Sequence, residues 1–219
     1  MQIIMKHFTK SLLLLLLIVS ISSYAQTTLT KFQSAIKKGL ALLDSASAPA
    51  EYVTAANYFE RIAQAEPKEW LPSYYVAYSN LTAGLMTRDK LVQDQYFDKA
   101  MVAIAQANAI SADNSEIYLL KGYIQFMKMS VDPQARLAFM GASAEAIGKA
   151  KVLNADNPRI YLVNGQNTFY TPEAFGGGKS KAKPILENAV AKFATFKPAN
   201  EIAPQWGSEQ ATALLAKCN

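Results

Sequence analysis

The chain has 219 residues, 51% of them hydrophobic, with 22 Lys+Arg against 17 Asp+Glu, one Cys and one His. A lone Cys218 rules out an intrachain disulfide framework, and a lone His7 rules out His-built zinc sites and Ser–His–Asp relays in everything that follows it. The positive balance comes without a basic stripe, so no nucleic-acid partner is expected.

The N-terminus reads as an export address. Lys6 and Lys10 precede the apolar run Leu12–Ile21, and Ser23-Tyr24-Ala25 supplies small residues at the two positions a signal peptidase reads. Cleavage after Ala25 is expected, leaving 26–219 as a single domain bound for the bacterial periplasm or cell surface. The run is shorter than the roughly 18 apolar residues that span a bilayer, and no second run follows, so no membrane span is expected after cleavage. Loss of Lys6 and Lys10 leaves the remainder nearly neutral.

Beyond the signal, helical periodicity predicts helices near 29–46, 51–66, 70–86, 91–111, 115–130, 134–154, 158–170, 179–197 and 207–217. No alternating strand pattern of useful length is present. The strongest feature is self-similarity. Ala107–Gly122 and Ala150–Gly165, 43 residues apart, share eight of sixteen residues, including Ala-Asp-Asn and Ile-Tyr-Leu. A period of that size marks stacked helical arrays. A second pattern recurs four times with steps of four, three and five: Ala55, Phe59, Ile62, Pro67; Ala100, Ile104, Ala107, Ala112; Ser143, Ile147, Ala150, Ala155; and Ala182, Leu186, Ala189, Ala194. Its first three members share one helical face, small residues admitting a neighbouring helix and the bulky one filling the space between turns. Asp113-Asn114, Asp132-Pro133 and Asn157-Pro158 place capping side chains at helix starts. The expected architecture is all-α, antiparallel pairs stacked in a right-handed α-solenoid, with 208–217 as a capping helix.

These residues resemble the tetratricopeptide repeat (TPR) family. Tyr118–Gly122 and Tyr161–Gly165 match its aromatic and glycine pair, and Ala55, Phe59 and Pro67 its second helix. The copies here are spaced by 45, 43 and 39 residues instead of 34, and Ala112, Ala155 and Ala194 stand where the family has Pro. The resemblance covers roughly 30–200 and implies a scaffold, with no ligand specified.

With Tyr118 and Tyr161 packed inward, the helical period turns Glu116, Tyr123, Arg159 and Gln166 toward the concave groove, with Tyr75 and Tyr170 as weaker candidates. Aromatic residues also dominate helical cores, so burial competes with binding for each of them. Gly178-Lys179-Ser180 resembles the end of a phosphate loop, but Glu173 stands where the preceding glycine is required. Glu66, Glu69 and Glu173 have no spaced acidic partner. The reading is therefore a binding protein and not an enzyme, with no metal and no cofactor, that grips a protein or peptide partner on its concave face. The alternative is a small-molecule accessory with an aromatic pocket. The sequence leaves the oligomeric state open.

Overall fold

The computed structural model describes residues 31–218, so the expected export segment, His7 and the new terminus at Gln26 lie outside the described residues. Every regular element among the described residues is helical: α1 over 31–45, α2 Pro49–Ala65, α3 Trp70–Met86, α4 Lys90–Ile110, α5 Ser115–Val131, α6 Ala138–Leu153, α7 Pro158–Tyr170, α8 Lys179–Thr195 and α9 Ser208–Ala216. A single 3-10 turn, Glu173–Phe175, precedes α8. The helices pack in chain order as antiparallel pairs, α3 on α4, α5 on α6 and α7 on α8. The inner members α3, α5 and α7 also touch one another. Among the described residues no helix is long and apolar enough to cross a membrane.

Caps fix where the elements start. Asn114 Oδ1 accepts from the Glu116 amide (3.0 Å), and Asn157 Oδ1 from the Arg159 amide (3.1 Å), so both Ala-Asp-Asn segments perform the same task one repeat apart. Asp89 Oδ1 does likewise for Leu91 and Val92. Asp132 behaves differently. The sequence places a helix start near 134, but α6 begins at Ala138. Asp132 Oδ1 instead accepts from the Ala135 amide (3.2 Å) and closes a separate turn, from which Arg136 reaches back to Asp94.

The first three positions of the pattern are buried in all four copies. Each inner-helix glycine faces a bulky outer-helix side chain: Gly39 meets Phe59, Gly84 Phe97, Gly122 Ile147 and Gly165 Leu186. A Cβ at Gly122 would lie 2.8 Å from Ile147 Cγ1 and 3.0 Å from the Ser143 carbonyl oxygen, so the close crossing of α5 and α6 excludes a side chain there. Burial of each bulky partner contributes about 1.5–3 kcal/mol. One core runs from α1 to α7 and includes Ile202, and a second joins α7, α8 and α9. Trp206 packs against both.

Candidate functional site

The inner wall is built by α3, α5 and α7, which turn Tyr74, Tyr75, Tyr78, Glu116, Tyr123, Arg159 and Gln166 to one side. It is not bare. The 196–207 segment between α8 and α9 runs back across it toward α1. Tyr75 donates its hydroxyl to the Ile202 carbonyl (2.8 Å), and Trp206 donates its indole N–H to the Tyr74 hydroxyl (2.9 Å). The Trp206 ring stacks on Tyr78 (centroids 4.9 Å apart, 22° between planes) and lies nearly parallel to Tyr123 at 6.5 Å. Lys37 of α1 is ion-paired with Glu201. Gly207, at φ +115°, turns the segment into α9, where a Cβ would strike Phe193 and Leu162.

Beneath the segment lies a charged cross-link. Arg159 is 1% exposed and donates through Nε (3.0 Å) and Nη2 (2.5 Å) to the two oxygens of Glu116. Asn157 donates to the same carboxylate (2.8 Å). The guanidinium lies against the rings of Phe196 (4.7 Å) and Trp206 (5.8 Å). Burial is the largest influence and opposes its charge, but the hydrogen bond and the charge of Glu116, with smaller help from Tyr74 and Tyr75, together outweigh it and raise its pKa. Burial raises the hydroxyls of Tyr74, Tyr75 and Tyr78 well above their ordinary values, and that of Tyr123 to about 12. These tyrosines are neutral near neutral pH.

The six residues singled out by sequence thus divide. Tyr75, Glu116, Tyr123, Arg159 and Gln166 do converge on the inner wall, where each makes side-chain hydrogen bonds within the chain, while Arg159 Nη1 is buried without a partner. Gln166 donates to the Tyr123 hydroxyl (2.7 Å), and Tyr75 and Arg159 are buried. Tyr170 stands apart at the end of α7, 58% exposed and edge-on to Phe169. Periodicity locates the inner face but carries no sign that 196–207 covers it.

An open cleft remains where the covering segment meets α1. It has a volume of about 800 Å³ and is lined by Lys37, Leu40, Tyr52, Tyr78, Trp206 and Gln210 among others. That is the size of a small-molecule site. Four aromatic residues, Tyr52 of α2, Tyr75 and Tyr78 of α3 and Trp206 of the covering segment, share it with Lys37, Asp44, Glu201 and Glu209. Of its lining, only Tyr75 is among the residues singled out by sequence. A Trp between two glycine- or proline-marked breaks, Pro204-Gln205-Trp206-Gly207, was the signal available. Among the described residues no three His, Cys, Asp or Glu side chains gather to hold a metal ion.

No family model and no curated protein sequence matches the chain. Solved structures do. It is similar to the HusA haemophore from Porphyromonas gingivalis, with 33% identity, a TM-score of 0.76, and coverage of 85% of this chain and 92% of that one. It is also similar to a thermophilic TPR protein of Thermus thermophilus, with 18% identity, a TM-score of 0.57, and coverage of 85% and 89%. The second likeness concerns the fold alone. The architecture read from the repeats, an all-α TPR-like stack, is the one found.

Proposed function

Because the chain belongs to the family of the HusA haemophore, we propose that it is an exported carrier that binds haem or a closely related porphyrin in the cleft between α1 and the 201–210 segment. The observation that carries this reading is the cleft itself: about 800 Å³, walled by the rings of Tyr52, Tyr78 and Trp206, with Lys37 at its margin. A porphyrin is a flat, largely apolar plate with carboxylate arms. Aromatic faces bury the plate, and an ammonium group pairs with an arm. The inner wall between Tyr74 and Arg159 offers a peptide no comparable opening, since the chain's own segment occupies it. Glu66 and Glu69 share the turn before α3 and Glu173 lies in the 3-10 turn before α8, and none of them lines the cleft, which supports action by binding alone.

The chemistry of the lining sets how the ring would be held. Haem iron is commonly ligated by His, Cys, Met or Tyr. No His follows His7 and no Cys or Met lines the cleft, and burial keeps Tyr75 and Tyr78 protonated, which leaves at most one phenol of the lining, Tyr52, for iron. Ring burial and stacking therefore supply most of the affinity, and iron supplies little. Titration with haemin and with metal-free protoporphyrin, followed by absorbance and by quenching of Trp206 fluorescence, is expected to give affinities within about tenfold of each other. Tyr52→Ala is expected to weaken both by about five- to tenfold, the worth of one aromatic contact. If haemin binds and the metal-free ring does not, iron ligation is the main term and the stacking account fails. If neither binds, porphyrin is not the cargo.

A further inference from the structure

The stack has two long edges of opposite character. One bears the turns leading from outer to inner helices, at 66–69, 111–114 and 154–157. These are polar, and Asp113 and Asp156 are exposed there in ion pairs with Lys149 and Lys192. The other bears the turns leading from inner to outer helices, after α3, α5 and α7. Here Leu85, Met86 and Leu91 are exposed on the first turn, Leu137 on the second, and Tyr170 and Phe175 on the third. Leu91 is 78% exposed, Leu137 59% and Phe175 73%. With Val92, this edge holds seven of the ten exposed large hydrophobic residues found among the described residues. The clustering is therefore not the ordinary scatter of apolar groups over a surface.

The three turns are neighbours. Lys90 of the first donates to the Val131 carbonyl at the second (3.2 Å), and Arg136 of the second grips Asp94 of α4. Asn167 near the end of α7 donates to Ser143 of α6 (3.3 Å), bringing the third alongside. A depression of about 570 Å³ between the first two turns is lined by Lys90, Leu91, Val131 and Arg136. Cations flank the apolar row: Arg88 and Lys90 on the first turn, Lys179 and Lys181 after the third, all exposed. The acids interspersed with them are largely engaged within the protein. Asp89 caps α4, Asp94 is held by Arg136 and Lys128, and Asp132 accepts from Ala135. Glu173 is the exposed acid that remains on the third turn.

We propose that this edge rests on an anionic lipid surface. The exposed leucines, Tyr170 and Phe175 enter the headgroup boundary, and Arg88, Lys90, Lys179 and Lys181 face lipid phosphates. Lipid fits better than a protein partner because the row is discontinuous. It consists of single side chains at the tips of three turns, which a fluid surface accommodates individually. The opposite edge, where Asp113 and Asp156 are paired with Lys149 and Lys192, has no comparable row of apolar tips, which fixes the orientation. The inference does not depend on what the cleft carries.

Co-sedimentation with vesicles tests it, using phosphatidylcholine alone and phosphatidylcholine mixed with phosphatidylglycerol. The processed protein is expected to pellet with the anionic vesicles, less so as salt rises, and little with phosphatidylcholine alone. The pair Leu91→Asp and Phe175→Asp, and separately the pair Arg88→Glu and Lys181→Glu, are expected to weaken binding by roughly tenfold or more, in line with the worth of a few interfacial contacts. The pair Val102→Asp and Val152→Asp, exposed on other faces, is expected to leave it unchanged. Unchanged helical circular dichroism and porphyrin titration in every variant would separate loss of docking from loss of fold or of the cleft. Equal losses in the control pair, or no binding to anionic vesicles, would overturn the proposal. So would a dimer, seen by sedimentation equilibrium and dissolved by the edge substitutions, in a protein that ignores vesicles.

Discussion

Two charge networks tie the inner helices to their surroundings, and they lie in contrasting settings. Glu116 and Arg159 join α5 to α7 beneath Trp206 and Phe196, with the guanidinium shut off from water. Asp94 and Asp98 of α4, with Lys128 and Arg136, join α4 to α5 and to the turn before α6 at the edge of the stack, where water reaches the guanidinium and both acids. In the first network each ion depends on its partner, because the guanidinium cannot turn to solvent. In the second, solvent shares the load. A buried pair is costly to break and of small net worth to keep, whereas a half-exposed one is modest in both respects.

The largest expected effect is therefore at Arg159. Arg159→Ala leaves the Glu116 carboxylate under the covering segment and removes the packing surface of Trp206. A loss of about 3–5 kcal/mol in urea denaturation is expected, together with a red shift of Trp206 emission. The double variant Glu116→Gln with Arg159→Met should regain much of that loss, since it strands no charge. A double variant as unstable as the single one would show that the bond, and not the isolated charge, carries the cost. At the edge, Asp94→Ala removes a two-point hold on Arg136 (2.5 and 2.7 Å) and one of the partners of Lys128. The expected loss is smaller, about 2 kcal/mol. If it equals the loss at Arg159, burial does not distinguish the two networks.

The smallest effect is a pH dependence. The Arg136 hydrogen bond, with help from Lys128, holds the Asp94 carboxyl down at about 2. The folded protein thus takes up this proton less readily than the unfolded chain. Its contribution to stability is complete above about pH 4, the range of an ordinary Asp, and is lost as pH falls through about 2. Stability measured against pH should fall less steeply in Asp94→Asn over that interval. Identical slopes would mean that Asp94 is not the titrating group.

Much of the fold was legible because it rests on local rules. Steps of three and four placed Ala55 with Phe59 and Ser143 with Ile147 on buried faces, and Asn114 and Asn157 cap the helices they precede. The start of α6 escapes such rules because Asp132-Pro133 satisfies the same cap grammar whether a helix or a separate turn follows. The candidate site was half legible. Helical period brought Glu116, Tyr123, Arg159 and Gln166 to the inner wall, but it gave no sign that Arg159 is sealed, or that Tyr52, Tyr78 and Trp206 come together around a cleft.

What the sequence determined by itself was the repeat: which faces are small and bulky, where helices begin, and that four pairs must stack to bury them. What only the tertiary structure decided was the course of 196–207 and the cleft it leaves. That segment has no period to read. Its position follows from bonds such as Tyr75 to Ile202 and Tyr74 to Trp206, between residues 127 and 132 positions apart. Contacts of that range lie beyond the reach of helical periodicity, which reports only neighbours a turn apart.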